Sequence, residues 1–211
     1  LITLACLSTL TSASDNFFSQ TKLSLDTRLR YELVDQDNTL KNADAWTLRI
    51  RPAIQTGSWY GLSAFVQGEG TVEINDEFNS TRNSQTQYST VPDAENLQLN
   101  QAYLKYVYNP NFDLTVGRQT INLDNQRFVG AVAWRQNDQT FDAVSLNYKP
   151  CKEFGLFYSY IDQVNTIFGS EEPEPKFIQA QASKQESKIH LIQAKMNYDP
   201  GYRYFFYEAK S

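Results

Sequence analysis

Arginine is the residue whose placement in this chain could do chemistry. Arg28 and Arg30 lie two apart, as do Arg49 and Arg51, and Arg118, Arg127 and Arg135 follow in a region rich in Gln, Asn and Asp. A spacing of two puts side chains on one face of a β-strand, so each pair presents neighbouring guanidiniums suited to carboxylates and other anions. Lys105 adds a further cation on a later segment, while Asp26, Glu32, Glu69 and Glu73 lie on the same parities as the arginines. Two readings of this arrangement stand. One is a basic strip whose field attracts anionic solutes, and the other is a salt ladder in which the arginines are paired.

Catalysis has little to work with. One His, two Cys and one Met leave few groups for a metal site or a nucleophile–base pair, and no nucleophile elbow, phosphate loop or metalloprotease motif occurs. No catalytic residue, metal ligand or cofactor is assigned. His190 shares its parity with Ile192, Ala194 and Met196 and reads as an interfacial side chain. Asp35-Gln36-Asp37-Asn38 opens like a calcium loop, but Leu40 stands where that loop needs Gly and no Glu follows at its twelfth position. The formal net charge of -5 argues against a nucleic-acid partner, which needs a basic surface.

The elements that must position these arginines are strands. Leu23, Leu25, Leu29, Tyr31 and Leu33 share one parity, while Ser24, Asp26, Arg28, Arg30 and Glu32 fill the other. Trp46, Leu48, Ile50 and Ile54 oppose Thr47, Arg49 and Arg51, and Leu62, Ala64, Val66 and Val72 oppose Ser63, Gln67, Glu69, Thr71 and Glu73. Further strands are expected near 98–108, 112–121, 140–149, 153–162 and 187–198, with a ninth starting near 202. No helix is required, and no apolar run is long enough for a helical membrane span.

Connections sort by length. Residues 57–61, 109–111, 149–152 and 199–201 carry tight-turn chemistry, whereas 35–44, 75–97, 122–139 and 163–187 are long and polar. Short turns at one end and long loops at the other is the construction of outer-membrane barrels. Trp59, Tyr60, Tyr106, Tyr108, Tyr148, Phe154, Tyr198 and Tyr202 cluster near the tight turns and read as a periplasmic aromatic girdle. Symmetric pairing about Pro110 sets Tyr106 opposite Leu114, Leu104 opposite Val116 and Lys105 opposite Thr115. About Pro150 it sets Tyr148 opposite Phe154, Leu146 opposite Leu156 and Val144 opposite Tyr158; about Pro200, Tyr198 opposite Tyr202 and Met196 opposite Tyr204. The first hairpin pairs Arg28 with Arg51 and Arg30 with Arg49, and the second sets Glu69 opposite Arg49. In a transmembrane barrel the charged parity faces water inside and the apolar parity faces lipid.

Residues 1–14 run from Leu1-Ile2-Thr3-Leu4-Ala5-Cys6-Leu7 into Ser12-Ala13-Ser14 and read as the remnant of an export signal, leaving residues 15–211 as one partial barrel domain.

Residues 116–148 contain Gly117-Arg118-Gln119, then Trp134-Arg135-Gln136, then Thr140-Phe141-Asp142. Together with Gln101-Ala102-Tyr103-Leu104-Lys105-Tyr106 and the arginine-bearing first strands, this resembles the alginate-export family of Gram-negative outer-membrane porins. The resemblance covers most of 20–160 and fades at the acidic loop around Glu171, Glu172 and Glu174. It implies an all-β, antiparallel, up-and-down transmembrane barrel of roughly eighteen strands, of which this chain holds an N-terminal part of about nine. It also implies an arginine-lined pore in which Arg118, Arg127 and Arg135 stand near the constriction with Arg28, Arg30, Arg49 and Arg51. The expected function is a channel for anionic small solutes or an acidic polysaccharide, seated in outer-membrane lipid, and no enzyme. The competing readings are a small closed structural or adhesive barrel and a soluble periplasmic sandwich.

Overall fold

The computed structural model describes residues 20–169 and 184–198, together with the backbone of 202–210. Nine strands follow one another: β1 (Lys22–Val34), β2 (Ala43–Gln55), β3 (Leu62–Glu73), β4 (Asn96–Asn109), β5 (Phe112–Gln119), β6 (Thr140–Tyr148), β7 (Phe154–Asn165), β8 (Lys184–Tyr198) and β9 (Tyr202–Lys210). They form one antiparallel sheet in sequence order, an up-and-down meander open between β1 and β9, which is an incomplete barrel. The export-signal segment and most of the acidic loop lie outside the described residues, as do the side chains of Tyr198 and Tyr202.

Alternation decides the two faces. Leu23, Leu25, Leu29, Tyr31 and Leu33 of β1 stand exposed with Trp46, Ile50 and Ile54 of β2 and Val66 and Val72 of β3. No second layer covers this bare face among the described residues, so the sandwich reading fails. On the opposite face Arg30, Thr47, Arg49, Arg51, Glu69 and Thr71 are buried. The cover there comes from the long connections. Phe78 and Val91 of the β3–β4 loop pack on Ala43 and Ala45, and Ile121 and Leu123 of the β5–β6 loop pack on Phe141, Ala143, Ile161 and Leu191. That apolar cluster on the covered face of β6–β8 departs from the expected polar interior. Apolar residues occupy both parities there because the folded-in loop supplies a second apolar surface.

Register is met in some hairpins and slips in others. Tyr106 pairs with Leu114, Leu104 with Val116 and Lys105 with Thr115, and Tyr198 pairs with Tyr202 and Met196 with Tyr204. Around Pro150 the register lies two residues along from the expected one: Tyr148 pairs with Leu156, Leu146 with Tyr158 and Val144 with Tyr160. The first hairpin shifts in the same way, so that Arg28 faces Arg49, Asp26 faces Arg51 and Arg30 faces Thr47. A shift of two preserves every side chain's face and changes only its partner. Arg49 faces Thr71 across β2–β3, not Glu69.

Two glycines are demanded by geometry. Tyr60 and Gly61 both have positive φ (49° and 83°) and close the β2–β3 hairpin, with Trp59 N donating to Leu62 O at 2.8 Å and Leu62 N donating to Trp59 O at 2.9 Å. Gly117 has φ +123°, and a Cβ there would lie 2.3 Å from the Ala102 carbonyl oxygen. Gly117→Ala is expected to destabilise the β4–β5 ladder by about 1–3 kcal/mol, read as a lower temperature for the loss of the compact, heat-modifiable gel band of the folded barrel.

Candidate functional site: an arginine row under a folded-in loop

β1 and β2 bring Arg28, Arg30, Arg49 and Arg51 onto the covered face within five consecutive cross-strand rows, because positions two apart share a face and these two strands pair directly. The Trp134–Asp138 segment of the β5–β6 loop lies against them. Gln136, with no exposed surface, is its anchor. Its Nε2 donates to Thr47 Oγ1 at 2.8 Å, to the Thr47 carbonyl at 3.0 Å and to the Arg28 carbonyl at 3.3 Å. Its Oε1 accepts from Arg28 Nε at 2.9 Å, and its carbonyl accepts from Arg51 Nη2 at 3.2 Å and Arg49 Nη1 at 3.4 Å. Its backbone N–H donates to Asp93 Oδ1 at 3.0 Å. The next residue, Asn137, accepts from Thr71 Oγ1 at 2.9 Å and donates to the Ala94 carbonyl at 3.1 Å. The 122–139 connection therefore folds inward onto the arginine row.

Carboxylates answer the arginines. Arg30 pairs with Glu32 and, at 2.9 Å, with Asp93. Arg49 pairs with Asp26 at 2.5 Å, and Arg51 with Glu69 and with Asp138 at 2.8 Å. Arg135 of the loop reaches Glu32 at 3.1 Å, and its guanidinium stands 4.0 Å from the centre of the Trp134 ring, which Arg30 also approaches at 5.3 Å. Burial holds the Arg135 guanidinium below its ordinary pKa, while Asp93 and Glu32 pull the other way. Four of the guanidiniums, those of Arg30, Arg49, Arg51 and Arg135, thus pair with the five carboxylates of Asp26, Glu32, Glu69, Asp93 and Asp138. The salt-ladder arrangement is the one present. Arg28 stands apart within it. Its partners are Gln136 Oε1, the Ala133 carbonyl at 3.0 Å and the Arg135 carbonyl, and no carboxylate lies within ion-pair distance among the described residues.

The other candidates distribute differently. Glu73 holds the β3–β4 loop, accepting from Asn83 Nδ2 at 2.9 Å and from Glu95 N at 3.1 Å, and meets no arginine among the described ion pairs. Arg127 is exposed at the tip of the β5–β6 loop, outside the network of the other arginines. Arg118 is a correction. It shares the parity of Val116, whose side chain is exposed on the bare face, and its ladder partner is Asp142, two residues from exposed Val144. There Arg118 Nε meets Asp142 Oδ1 at 2.7 Å and Nη2 meets Oδ2 at 2.9 Å, a bidentate pair at the loop ends of β5 and β6. The fork lets a charged pair sit beside an apolar band with its donors and acceptors satisfied. Lys105 lies on the covered face, 3.3 Å from Asp113.

Among the expected girdle residues Trp59, Tyr60, Tyr106, Tyr108 and Tyr148 are exposed near the tight turns, and Phe154 is half-buried there. A second aromatic pair, Tyr31 and Trp46, lies at the loop end of the bare face with ring centres 4.7 Å apart. Between Tyr31 and Leu23 run about 26 Å of strand at 3.3 Å per residue, which at a tilt of about 40° rises about 20 Å, most of the ~25 Å apolar band of outer-membrane barrels. The sequence places Tyr31 and Trp46 on the apolar parity without marking them as a second girdle, and it does not single out Asp93, Asn137 or Asp138. Trp134-Arg135-Gln136 was visible as a motif, whereas Asp93 sits in a polar loop that carries no periodic signal.

No curated protein matches the chain. The fold is similar to that of solved Gram-negative outer-membrane channels. Acinetobacter baumannii OccAB4 is 17% identical at TM-score 0.66, covering 93% of this chain and 52% of that one. Pseudomonas aeruginosa OccK2 (OpdF), solved in complex with glucuronate, is 13% identical at TM-score 0.57 over 92% and 47%, and P. aeruginosa OpdK, solved with vanillate, is 13% identical at TM-score 0.62 over 92% and 50%. The chain spans about half the length of these channels. A family model for alginate export matches residues 19–158, the region that holds the arginine row, its carboxylates and the loop folded over them; the chain belongs to the alginate export family.

Proposed function

We propose that this chain is part of an outer-membrane channel, not an enzyme, and that small acidic solutes or an acidic polysaccharide pass along its covered face. The observation that carries the reading is the inversion of the sheet: leucines and isoleucines bare on one side, arginines covered on the other. In a closed barrel the bare face meets hydrocarbon and the covered face lines the aqueous interior. The folded-in Trp134–Asp138 segment then narrows that interior beside the arginine row, and the low-dielectric wall strengthens each charge's reach. Membership of the alginate export family supports an acidic cargo, and so do the small acids bound by two channels of similar fold, glucuronate and vanillate. Within the charge-matched row, Arg28 is the guanidinium without a carboxylate, so it is the contact a passing carboxylate would meet at the lowest cost of displacement.

The full-length protein reconstituted in planar bilayers is expected to conduct and to prefer chloride over potassium, with Arg28→Glu lowering that preference several-fold. Cation preference in the unaltered protein would defeat the acidic-solute reading. Absence of conductance would instead favour a closed structural or adhesive barrel, which the inward loop makes the natural rival.

A further inference from the structure

The arginine row is filled from within the chain. Four successive main-chain carbonyls of the β5–β6 loop point into it. Ala133 O accepts from Arg28 Nη1 at 3.0 Å, and Trp134 O accepts from Arg30 Nη1 at 3.0 Å. Arg135 O accepts from Arg28 Nη2, and Gln136 O accepts from Arg51 Nη2 at 3.2 Å and Arg49 Nη1 at 3.4 Å. One carboxylate follows, that of Asp138, 2.8 Å from Arg51. The segment thus lays a row of oxygens along a row of guanidiniums, as an extended acidic chain would. The match is incomplete. The buried Nε atoms of Arg30 and Arg49 have no hydrogen-bond partner among the described residues, and an unmade bond at a buried donor is costly. A carboxylate can give a guanidinium two parallel charge-assisted bonds where a main-chain carbonyl accepts singly.

Residues 132–138 form one excursion from the rest of the loop. Its base is closed by Gln139 N donating to Ala131 O at 2.7 Å. Behind the base, Ala131 N donates to Asn122 Oδ1 at 2.8 Å, and Asp124 is held by Lys195 at 2.5 Å and by Gln193 Nε2 at 2.6 Å. Between base and arginines stands Val132, with φ +53°. A β-branched residue enters that left-handed region only under constraint. The surrounding contacts therefore hold strain at Val132 while the segment is seated.

We infer that residues 132–138 are an internal surrogate for the acidic cargo, displaced from the arginine row by a carboxylate-bearing solute and swinging away about Val132, an inference that rests on the channel reading for its cargo. Cargo carboxylates take the places of the Asp138 carboxylate and the four carbonyls. Val132 sheds its strain as the segment lifts, and the base at Ala131 and Gln139 stays on the wall. A ligand shifts such an equilibrium only by its differential affinity for the two states. A neutral sugar offers the guanidiniums nothing stronger than the carbonyls they already hold, so it leaves the segment seated.

Trypsin cleavage after Arg135, in the folded full-length protein held in detergent micelles, reports release of the segment, because the rate follows the population of the open form. Sodium glucuronate is expected to speed that cleavage about threefold or more over sodium chloride of equal ionic strength, and glucose to leave it unchanged. Val132→Gly accepts the positive φ without strain and should cut the glucuronate effect several-fold. Asp138→Asn weakens the surrogate and should bring half-maximal release to a several-fold lower glucuronate concentration. The glucuronate comparison is made on the unaltered protein, so it stands whether or not a variant folds. Equal acceleration by chloride would reduce the effect to screening and overturn the inference, as would cleavage that glucuronate leaves unchanged or slows. An undiminished response in folded Val132→Gly would overturn the hinge, and no shift in folded Asp138→Asn would overturn the surrogate. Bilayer selectivity is measured separately. A cation-preferring channel whose cleavage still responds to glucuronate sinks the transport reading alone, and an anion-preferring channel without that response sinks the displacement alone.

Discussion

Asp93→Ala is expected to release the Trp134–Asp138 segment from the sheet and to widen the conduction path. Asp93 has no exposed surface. It pairs with Arg30 at 2.9 Å, lies 3.9 Å from Arg135 and accepts the Gln136 backbone N–H at 3.0 Å. Removing it leaves the buried Arg30 guanidinium with Glu32 as its one carboxylate among the described residues, beside the Trp134 carbonyl at 3.0 Å, and leaves the Gln136 N–H without an acceptor. Breaking a buried pair in this way costs about 3–5 kcal/mol, because the remaining charge stays desolvated. The surrounding ladder is held by consecutive backbone hydrogen bonds between β1, β2 and β3, so the loss falls on the loop and not on the sheet. The measurement is twofold: single-channel conductance, expected to rise, and limited proteolysis within 122–139, expected to accelerate with the barrel still compact on a gel. Unchanged conductance and unchanged cleavage would show that the loop is held by its apolar contacts at Ile121 and Leu123 and not by the carboxylate.

Ile50→Arg should oppose membrane assembly. Ile50 is on the bare face, four residues from Trp46 at the loop end and four from Ile54 near the tight turn. An arginine facing lipid near mid-depth costs about 2–4 kcal/mol. The expected result is a lower yield of folded, heat-modifiable protein and a shifted urea midpoint of folding into vesicles. Gln55→Arg, on the opposite parity and exposed at the turn end, should change neither by more than a few tenths of a kcal/mol. If the two substitutions cost the same, the bare face does not meet hydrocarbon and the inversion on which the channel reading stands is lost. The contrast with Arg118 is instructive. That native arginine shares the bare face but carries its own bidentate carboxylate, so it brings a neutral pair to the surface instead of a charge.

How far the sequence could be read follows from which features repeat. Alternation over β1–β3 is a local property of each strand, and it determined the strand positions, the two faces and the side on which Arg28, Arg30, Arg49 and Arg51 fall. Turn chemistry at Pro110 was enough for the β4–β5 register. At the first hairpin and at Pro150 the register differs by two residues, because the number of residues a loop consumes depends on how that loop folds. The face survives such a slip and the partner does not, which is why Glu69 answers Arg51 where Arg49 was expected. Parity also had the information to place Arg118 with Val116 on the bare face; residue type and motif pointed the other way.

By itself, then, the sequence determined an antiparallel sheet of nine strands with one greasy and one charged side, since a period of two needs no knowledge of distant residues. Only the tertiary structure decided that a loop more than a hundred residues from β1 lies over the arginines, that Asp93 and Asp138 join Asp26, Glu32 and Glu69 in matching them, and that Arg28 is left with amide and carbonyl partners. The 122–139 connection has no period, so its place is set by tertiary contacts. Those contacts join groups remote in the chain, and nothing in their immediate neighbourhood announces them.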